Sequence, residues 1–284
     1  MRHGRRTFLV ALTLLAAVSM LRELSAQPAS TSPEMLSDAA LHDVFFLDAA
    51  RGWAVGDRGV IWMTEDGGRR WWLADSPVNC SLQSIHFVDE QNGWIVGGWS
   101  HPYSDRTSGV ILRTENGGRR WTQVSSETLP KLARVKFFDK RQGWALGTPS
   151  AMYPAGVFRS EDGGRSWSSF PTDHPSTWLA ADFADPNQGI VVGRDGAAAV
   201  VGATSLQPLV KPNTGLRHLR AAQADHARLL LAGDGGLLLA TEDAGRTWHS
   251  PELPLSPEVL DNVDFRALAR ADNFCWLAGN PGSC

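Results

Sequence analysis

RGWAVGDRGVIWMTEDGGRRW, residues 51–71, contains both halves of a pattern that recurs along the chain. Its first half, Gly52 to Gly56, is an apolar strand closed by glycine. It returns as NGWIVG (92–97), QGWALG (142–147), QGIVVG (188–193), RLLLAG (228–233) and FCWLAG (274–279). The closing glycines, Gly56, Gly97, Gly147, Gly193, Gly233 and Gly279, are spaced by 41, 50, 46, 40 and 46 residues. That is the length of one four-stranded propeller blade, about 40–50 residues. The second half, TEDGGRRW (64–71), returns as TENGGRRW (114–121), SEDGGRSW (160–167) and TEDAGRTW (241–248). Trp167 and Trp248 are two periods apart, so one copy has decayed between Val201 and Val210.

Each unit parses into four short strands. In the second unit these are Leu82 to Val88, Gly93 to Gly97, Val110 to Thr114 and Trp121 to Val124, separated by turns rich in Gly, Asp and Asn. After the N-terminal segment no stretch is long and periodic enough to predict a helix. The fold class is therefore all-β, a β-propeller whose neighbouring four-stranded sheets cover each other's faces. Units are expected near 41–81, 82–130, 131–175, 176–217, 218–261 and 262–284, the last incomplete. Gly279-Asn280-Pro281-Gly282 matches the tight turns Gly56-Asp57-Arg58-Gly59 and Gly193-Arg194-Asp195-Gly196, which puts the end of the chain where a third strand should begin.

The pattern Ser/Thr-x-Asp/Asn-x-Gly-x-x-Trp, the Asp box, has a mechanical reading. Asp66, Asn116, Asp162 and Asp243 accept hydrogen bonds from the turn backbone. Gly68, Gly118, Gly164 and Gly245 take positive φ, and Trp71, Trp121, Trp167 and Trp248 pack under the hairpin. A feature repeated around the ring fixes a turn rather than marking one catalytic centre. Asp48, Asp89, Asp139 and Asp185, at one equivalent place in each unit, are turn residues for the same reason.

The composition excludes several classes. A net charge of -3 with 20% charged residues gives no bulk attraction to nucleic acid or to an anionic membrane. Three cysteines, Cys80, Cys275 and Cys284, allow one internal disulfide at most and fit no zinc spacing. His42, His86 and His218 fall on first strands of different units and read as satisfied structural residues, so no metal is expected. Arg2, Arg5 and Arg6 followed by apolar Phe8 to Leu21 and by Leu24-Ser25-Ala26 read as an export signal over 1–26, of twin-arginine or general secretory type. A linker, 27–40, precedes the repeats at 41–284, and the location is periplasmic, lumenal or secreted.

The GW-apolar-apolar-G strand paired with an Asp box after an export signal resembles the photosystem II assembly and stability factor family over residues 41 to 284. The resemblance implies a seven-bladed propeller without cofactor that binds newly made reaction-centre protein during assembly. Against that pattern, the present chain would be truncated in the sixth unit.

Two surfaces suit a protein partner. Insertions at Gly98 to Gly109 and Thr148 to Gly156 fall at the same place in adjacent units, and they carry Trp99, His101, Tyr103, Arg106 and Tyr153. Arg134, Lys136, Arg217 and Arg220 belong to first strands or their approaches, which line a propeller's axis; paired to nearby acids they would form a satisfied polar wall. The expected function is an exported, non-enzymatic scaffold for a client protein. The alternative is an Asp-box glycoside hydrolase of sialidase or xyloglucanase type, with carbohydrate as the ligand. It requires paired carboxylates or a Tyr nucleophile, and Glu127, Glu252 and Glu258, which fall outside the repeat pattern, have no evident partners.

Overall fold

The computed structural model describes residues 38–104, 106–124, 129–172, 176–210, 214–271 and 274–281. The export signal, most of the linker, Glu127 and Cys284 lie outside the described residues. From Ala39 onward the chain forms one compact unit of antiparallel sheets laid down in sequence order.

Blade 1 contains β1 (Leu41–Phe46), β2 (Gly52–Gly56), β3 (Ile61–Thr64) and β4 (Trp72–Leu73). Blade 2 contains β5 (Ser81–Phe87), β6 (Gly93–Ser100), β7 (Thr107–Thr114) and β8 (Thr122–Gln123). Blade 3 contains β9 (Leu132–Phe137), β10 (Gly143–Gly147), β11 (Val157–Ser160) and β12 (Ser168–Ser169). Blade 4 contains β13 (Trp178–Asp185), β14 (Gln188–Gly193), β15 (Ala198–Gly202) and β16 (Leu206–Pro208). Blade 5 has β17 (Leu219–Asp225), β18 (Arg228–Gly233) and β19 (Leu238–Thr241), and blade 6 has β20 (Val263–Ala271) and β21 (Phe274–Pro281). The first strands of successive blades are neighbours, so β1, β5, β9, β13, β17 and β20 form the inner wall of a β-propeller.

In blades 1 to 4 the second strand is the most deeply buried, GWAVG and GWALG being covered along their whole length. In blades 2 to 4 both faces are apolar because a neighbouring blade packs on each side. Trp53 of β2 stacks on Phe87 of β5 with ring centroids 3.8 Å apart, and Trp94 of β6 stacks on Phe137 of β9 at the same 3.8 Å. Trp144 of β10 meets Phe183 of β13 at 5.0 Å. Each phenylalanine also lies flat against the glycine that opens its own second strand. A Cβ at Gly143 would come within 2.5 Å of the Phe137 ring, so only glycine lets the ring reach its tryptophan. The box tryptophan closes the group edge-on, as in Phe87 with Trp121 and Phe137 with Trp167.

Several sequence expectations change. Half of the insertion at Gly98 to Gly109 is strand: Gly98, Trp99 and Ser100 keep pairing with Gly109, Ser108 and Thr107, so β6 and β7 run on as a long hairpin. Gly279-Asn280-Pro281 is not a tight turn. β20 begins two residues before the position equivalent to Leu219, and Asp264 and Val263 give Asn280 and Pro281 strand partners. A short helix, α1 (Pro257–Asp261), fills the approach to blade 6, with the Ser256 hydroxyl capping the Val259 N–H. Where the box has decayed, Gly202 N–H donates to Ser205 carbonyl in a tighter turn, and Phe170 stacks on Trp144.

Candidate functional site

The Asp boxes form the turns between third and fourth strands. In blade 2 the Asn116 Oδ1 accepts from the Arg120 N–H at 2.9 Å; the corresponding oxygen of Asp66, Asp162 and Asp243 accepts from Arg70, Ser166 and Thr247. The Arg70 N–H holds the Asp66 carboxyl below the ordinary carboxylate range, and the Thr247 hydroxyl and N–H do the same at Asp243. Gly68, Gly118, Gly164 and Gly245 have φ of 85°, 83°, 88° and 87°. The indoles of Trp71, Trp167 and Trp248 donate to the carbonyls of those box glycines.

The sequence reading overlooked the residue at the centre of each box. Thr64, Thr114, Ser160 and Thr241 are buried, and each hydroxyl accepts from the box glycine N–H at 2.8–3.0 Å while donating to the box Asp or Asn. The signal was present, since Ser or Thr opens every copy. Asp48, Asp89, Asp139 and Asp185 bind turn N–H groups in the same manner. With Arg51 and Ala50 N–H donors around it, Asp48 is lowered to about 2.

The candidate partner residues fall into three places. Trp99, His101, Tyr103 and Arg106 share the β6–β7 hairpin. Tyr103 is fully exposed at its tip with φ 63°, Trp99 is 38% exposed, and His101 Nε2 lies 2.8 Å from Ser108 Oγ. Tyr153, between β10 and β11 on the same rim, is half-buried, its ring edge-on to Phe158. It packs on the core as well as facing the rim.

Arg134 and Lys136 line a cavity of about 250 Å³ between blades 3 and 4, together with His86, Trp144 and Phe183. Lys136 Nζ is 2.8 Å from Asp182 Oδ1 and donates to the Phe183 carbonyl, so it bridges the two first strands. The exposed Arg134 donates to the neighbouring Ala133 carbonyl. His86 Nδ1 accepts from the Phe137 N–H at 3.3 Å, and burial, reinforced by Lys136, lowers its pKa to about 4. It stays a neutral acceptor, and Asp43 and Asp182 likewise accept from the N–H groups of Ile85 and Ala224 on the next blades.

Arg217 and Arg220 occupy a third place, at blade 5. Arg220 is paired with Asp234 through both carboxylate oxygens, and Arg217 donates to the carbonyls of Thr214 and Gly235. Among the described residues no three His, Cys, Asp or Glu side chains are grouped to hold a metal ion. His42 meets Asp57 at 2.8 Å, and His218 accepts from the Asp195 N–H.

Residues 30–133, less than half of the chain, match the family model of the photosynthesis system II assembly factor YCF48. No curated protein sequence matches. Among solved structures, YCF48 bound to D1 peptide superposes with a TM-score of 0.54 at 18% identity, covering 86% of this chain and 91% of that one. YCF48 from Cyanidioschyzon merolae gives 0.53 at 17% identity, over 86% and 94%. The GH74 enzyme of Niastella koreensis gives 0.56 at 12% identity, over 74% of this chain and 38% of the enzyme. At these identities the superpositions establish the fold, while the repeat and the family match narrow its kind. The chain is a β-propeller of BNR-type Asp-box repeats, similar to the photosystem II assembly factors.

Proposed function

We propose that this propeller is an exported, non-enzymatic scaffold that holds a client polypeptide, an assembling membrane protein, on the rim carrying the β6–β7 hairpin. The observation that carries the reading is the hairpin itself. It continues its ladder beyond the core and presents Trp99, Tyr103 and Arg106 to solvent on a paired, rigid stem. Amphipathic aromatics and arginine on an ordered element are the side chains that dominate protein recognition. The similarity to YCF48, whose structure is described with a D1 peptide bound, points to the same class of partner. The repeated aspartates are occupied as turn acceptors, and Glu252 and Glu258 are exposed near α1, away from one another's repeat position. That arrangement favours binding over glycoside hydrolysis.

The test is retention of a detergent extract of the source membranes on the immobilised chain, with identification by mass spectrometry. One membrane protein should be retained by the native chain and lost with Trp99→Ala and Tyr103→Ala, both of which leave the core untouched. Retention unchanged by both substitutions, or release of reducing sugar from a β-glucan, would overturn the reading.

A further inference from the structure

Two Asn-Gly pairs occur in the chain, Asn92-Gly93 and Asn116-Gly117, and the fold holds them differently. Such a pair is chemically weak, because a glycine without Cβ leaves its nitrogen unshielded beside the preceding side-chain amide. Asn92 is 5% exposed, and its Nδ2 donates to both Asp89 oxygens at 2.8 and 3.0 Å. Gly93 opens β6, paired with Phe87 on one side and Thr114 on the other. Nucleophile and leaving group are both fixed there.

Asn116 stands at the box position that aspartate holds in the other three copies, Asp66, Asp162 and Asp243. The residue after it takes positive φ, 74° at Gly67, 72° at Gly117 and 79° at Gly163. A Cβ at Gly117 would come within 2.8 Å of the Glu90 carbonyl, so the turn's need for glycine falls here behind an asparagine. Asn116 is exposed and lines, with Gly117, a cleft of about 330 Å³ between blades 1 and 2. Its Oδ1 accepts from the Thr114 hydroxyl and the Arg120 N–H, but Nδ2, the leaving group, has no hydrogen bond among the described residues. The turn also has fewer ties than its neighbour. In the third box the indoles of Trp94 and Trp167 donate to the carbonyls of Gly163 and Gly164. The N–H groups of Trp53 and Trp121, at the matching places of the second box, have no acceptor among the described residues. Gly117 is restrained by the bond from its N–H to the Gln91 carbonyl, 3.0 Å long.

We propose that Asn116 is a modification site, deamidating in the folded chain while Asn92 is protected, and that the aspartyl product completes the second box as Asp66 completes the first. When the turn opens locally and the bond to Gln91 parts, the Gly117 nitrogen loses its proton to solvent base and bonds to Asn116 Cγ. Nδ2 takes up a proton and leaves as ammonia. One water then opens the cyclic imide, giving an aspartyl or an isoaspartyl residue. The aspartyl carboxylate accepts the same Thr114 and Arg120 donors with a full charge, which strengthens both bonds. Each aspartate box already has a glutamate beside its acid, Glu65, Glu161 or Glu242, as Glu115 stands here, so the added charge meets no new kind of neighbour. The isoaspartyl product puts one more carbon into the backbone and spoils the spacing by which the Thr114 hydroxyl serves both residue 116 and the Gly118 N–H. The site lies at the other end of β7 from the hairpin tip and stands whether or not the hairpin binds a client.

The experiment incubates the full chain at pH 8 and 37 °C, folded and unfolded in guanidinium chloride, and digests it with trypsin. Mass spectrometry follows amide-to-acid conversion in the peptides 114–119 and 71–106, which carry the two pairs. The unfolded sample should convert at both asparagines, and the folded sample at Asn116 alone and more slowly. Thr114→Val, its fold checked by circular dichroism, loosens the turn and should speed the folded-state reaction roughly tenfold or more. Asn116→Asp, which reproduces the aspartyl product, should raise the urea midpoint. Conversion of Asn92 in the folded chain at the rate of Asn116 would overturn the site. So would an Asn116 that stays intact while the unfolded sample reacts fully, a Thr114→Val rate no faster than the native one, or an Asn116→Asp midpoint no higher.

Discussion

Thr114 shows how much of a blade turn depends on a single hydroxyl. It is buried, and its Oγ1 takes the Gly118 N–H at 2.9 Å while the Asn116 side chain takes its proton. Thr114→Val keeps the shape and removes the acceptor, leaving a buried N–H unpaired, so the expected loss is about 1–3 kcal/mol, read as a lower urea midpoint. His86 offers a different reading of the same principle. Its folded pKa lies near 4, below the ordinary 6.5, because burial, reinforced by the nearby Lys136, disfavours the charged ring. The unfolded chain takes up the proton first, so this contribution is intact above pH 6.5 and drains away as the pH falls toward 4. Up to ~3 kcal/mol of stability is involved. His86→Asn keeps an acceptor and cannot titrate; urea midpoints measured at pH 7 and 4.5 should differ less in that variant than in the native chain. Asp48 and Asp89, lowered to about 2, act in a separate window, below the usual carboxylate range.

At the scale of the element, the unit of cohesion is the aromatic stack shared by two blades rather than any single sheet. Trp94 belongs to blade 2 and Phe137 to blade 3, and both are almost wholly buried. Each alanine substitution should cost about 3–5 kcal/mol. The double variant should cost less than the sum by about 0.5–1.5 kcal/mol, because the stack can be lost only once. Strict additivity in that cycle would show that each ring packs against its own blade alone. Strand positions were legible in the sequence wherever glycine closes an apolar run, because period and closure are both local. The length of the β6–β7 hairpin was not legible. Ser100 and Thr107 pair only because the opposite strand happens to continue, and polar residues around Tyr103 read equally well as a loop.

For the molecule as a whole, architecture was the most legible property, since a repeat that cannot cover its own faces prescribes stacked blades. The candidate site was less so. The sequence grouped Arg134, Lys136, Arg217 and Arg220 by strand position, whereas the structure ties Lys136 to Asp182 and Arg220 to Asp234 through separations that no local pattern encodes. The contrast in burial between the inner second-strand tryptophans and that of blade 6 has one more consequence. Trp94 is shut away between blades, whereas Trp276, at the same repeat position in blade 6, is 66% exposed. Their fluorescence therefore differs in colour and in access to a collisional quencher such as acrylamide, with Trp94 emitting blue and shielded and Trp276 red and open. The emission spectrum of the native chain is thus a built-in ruler along the row of blades, on which loss of the blue component marks the parting of the central sheets.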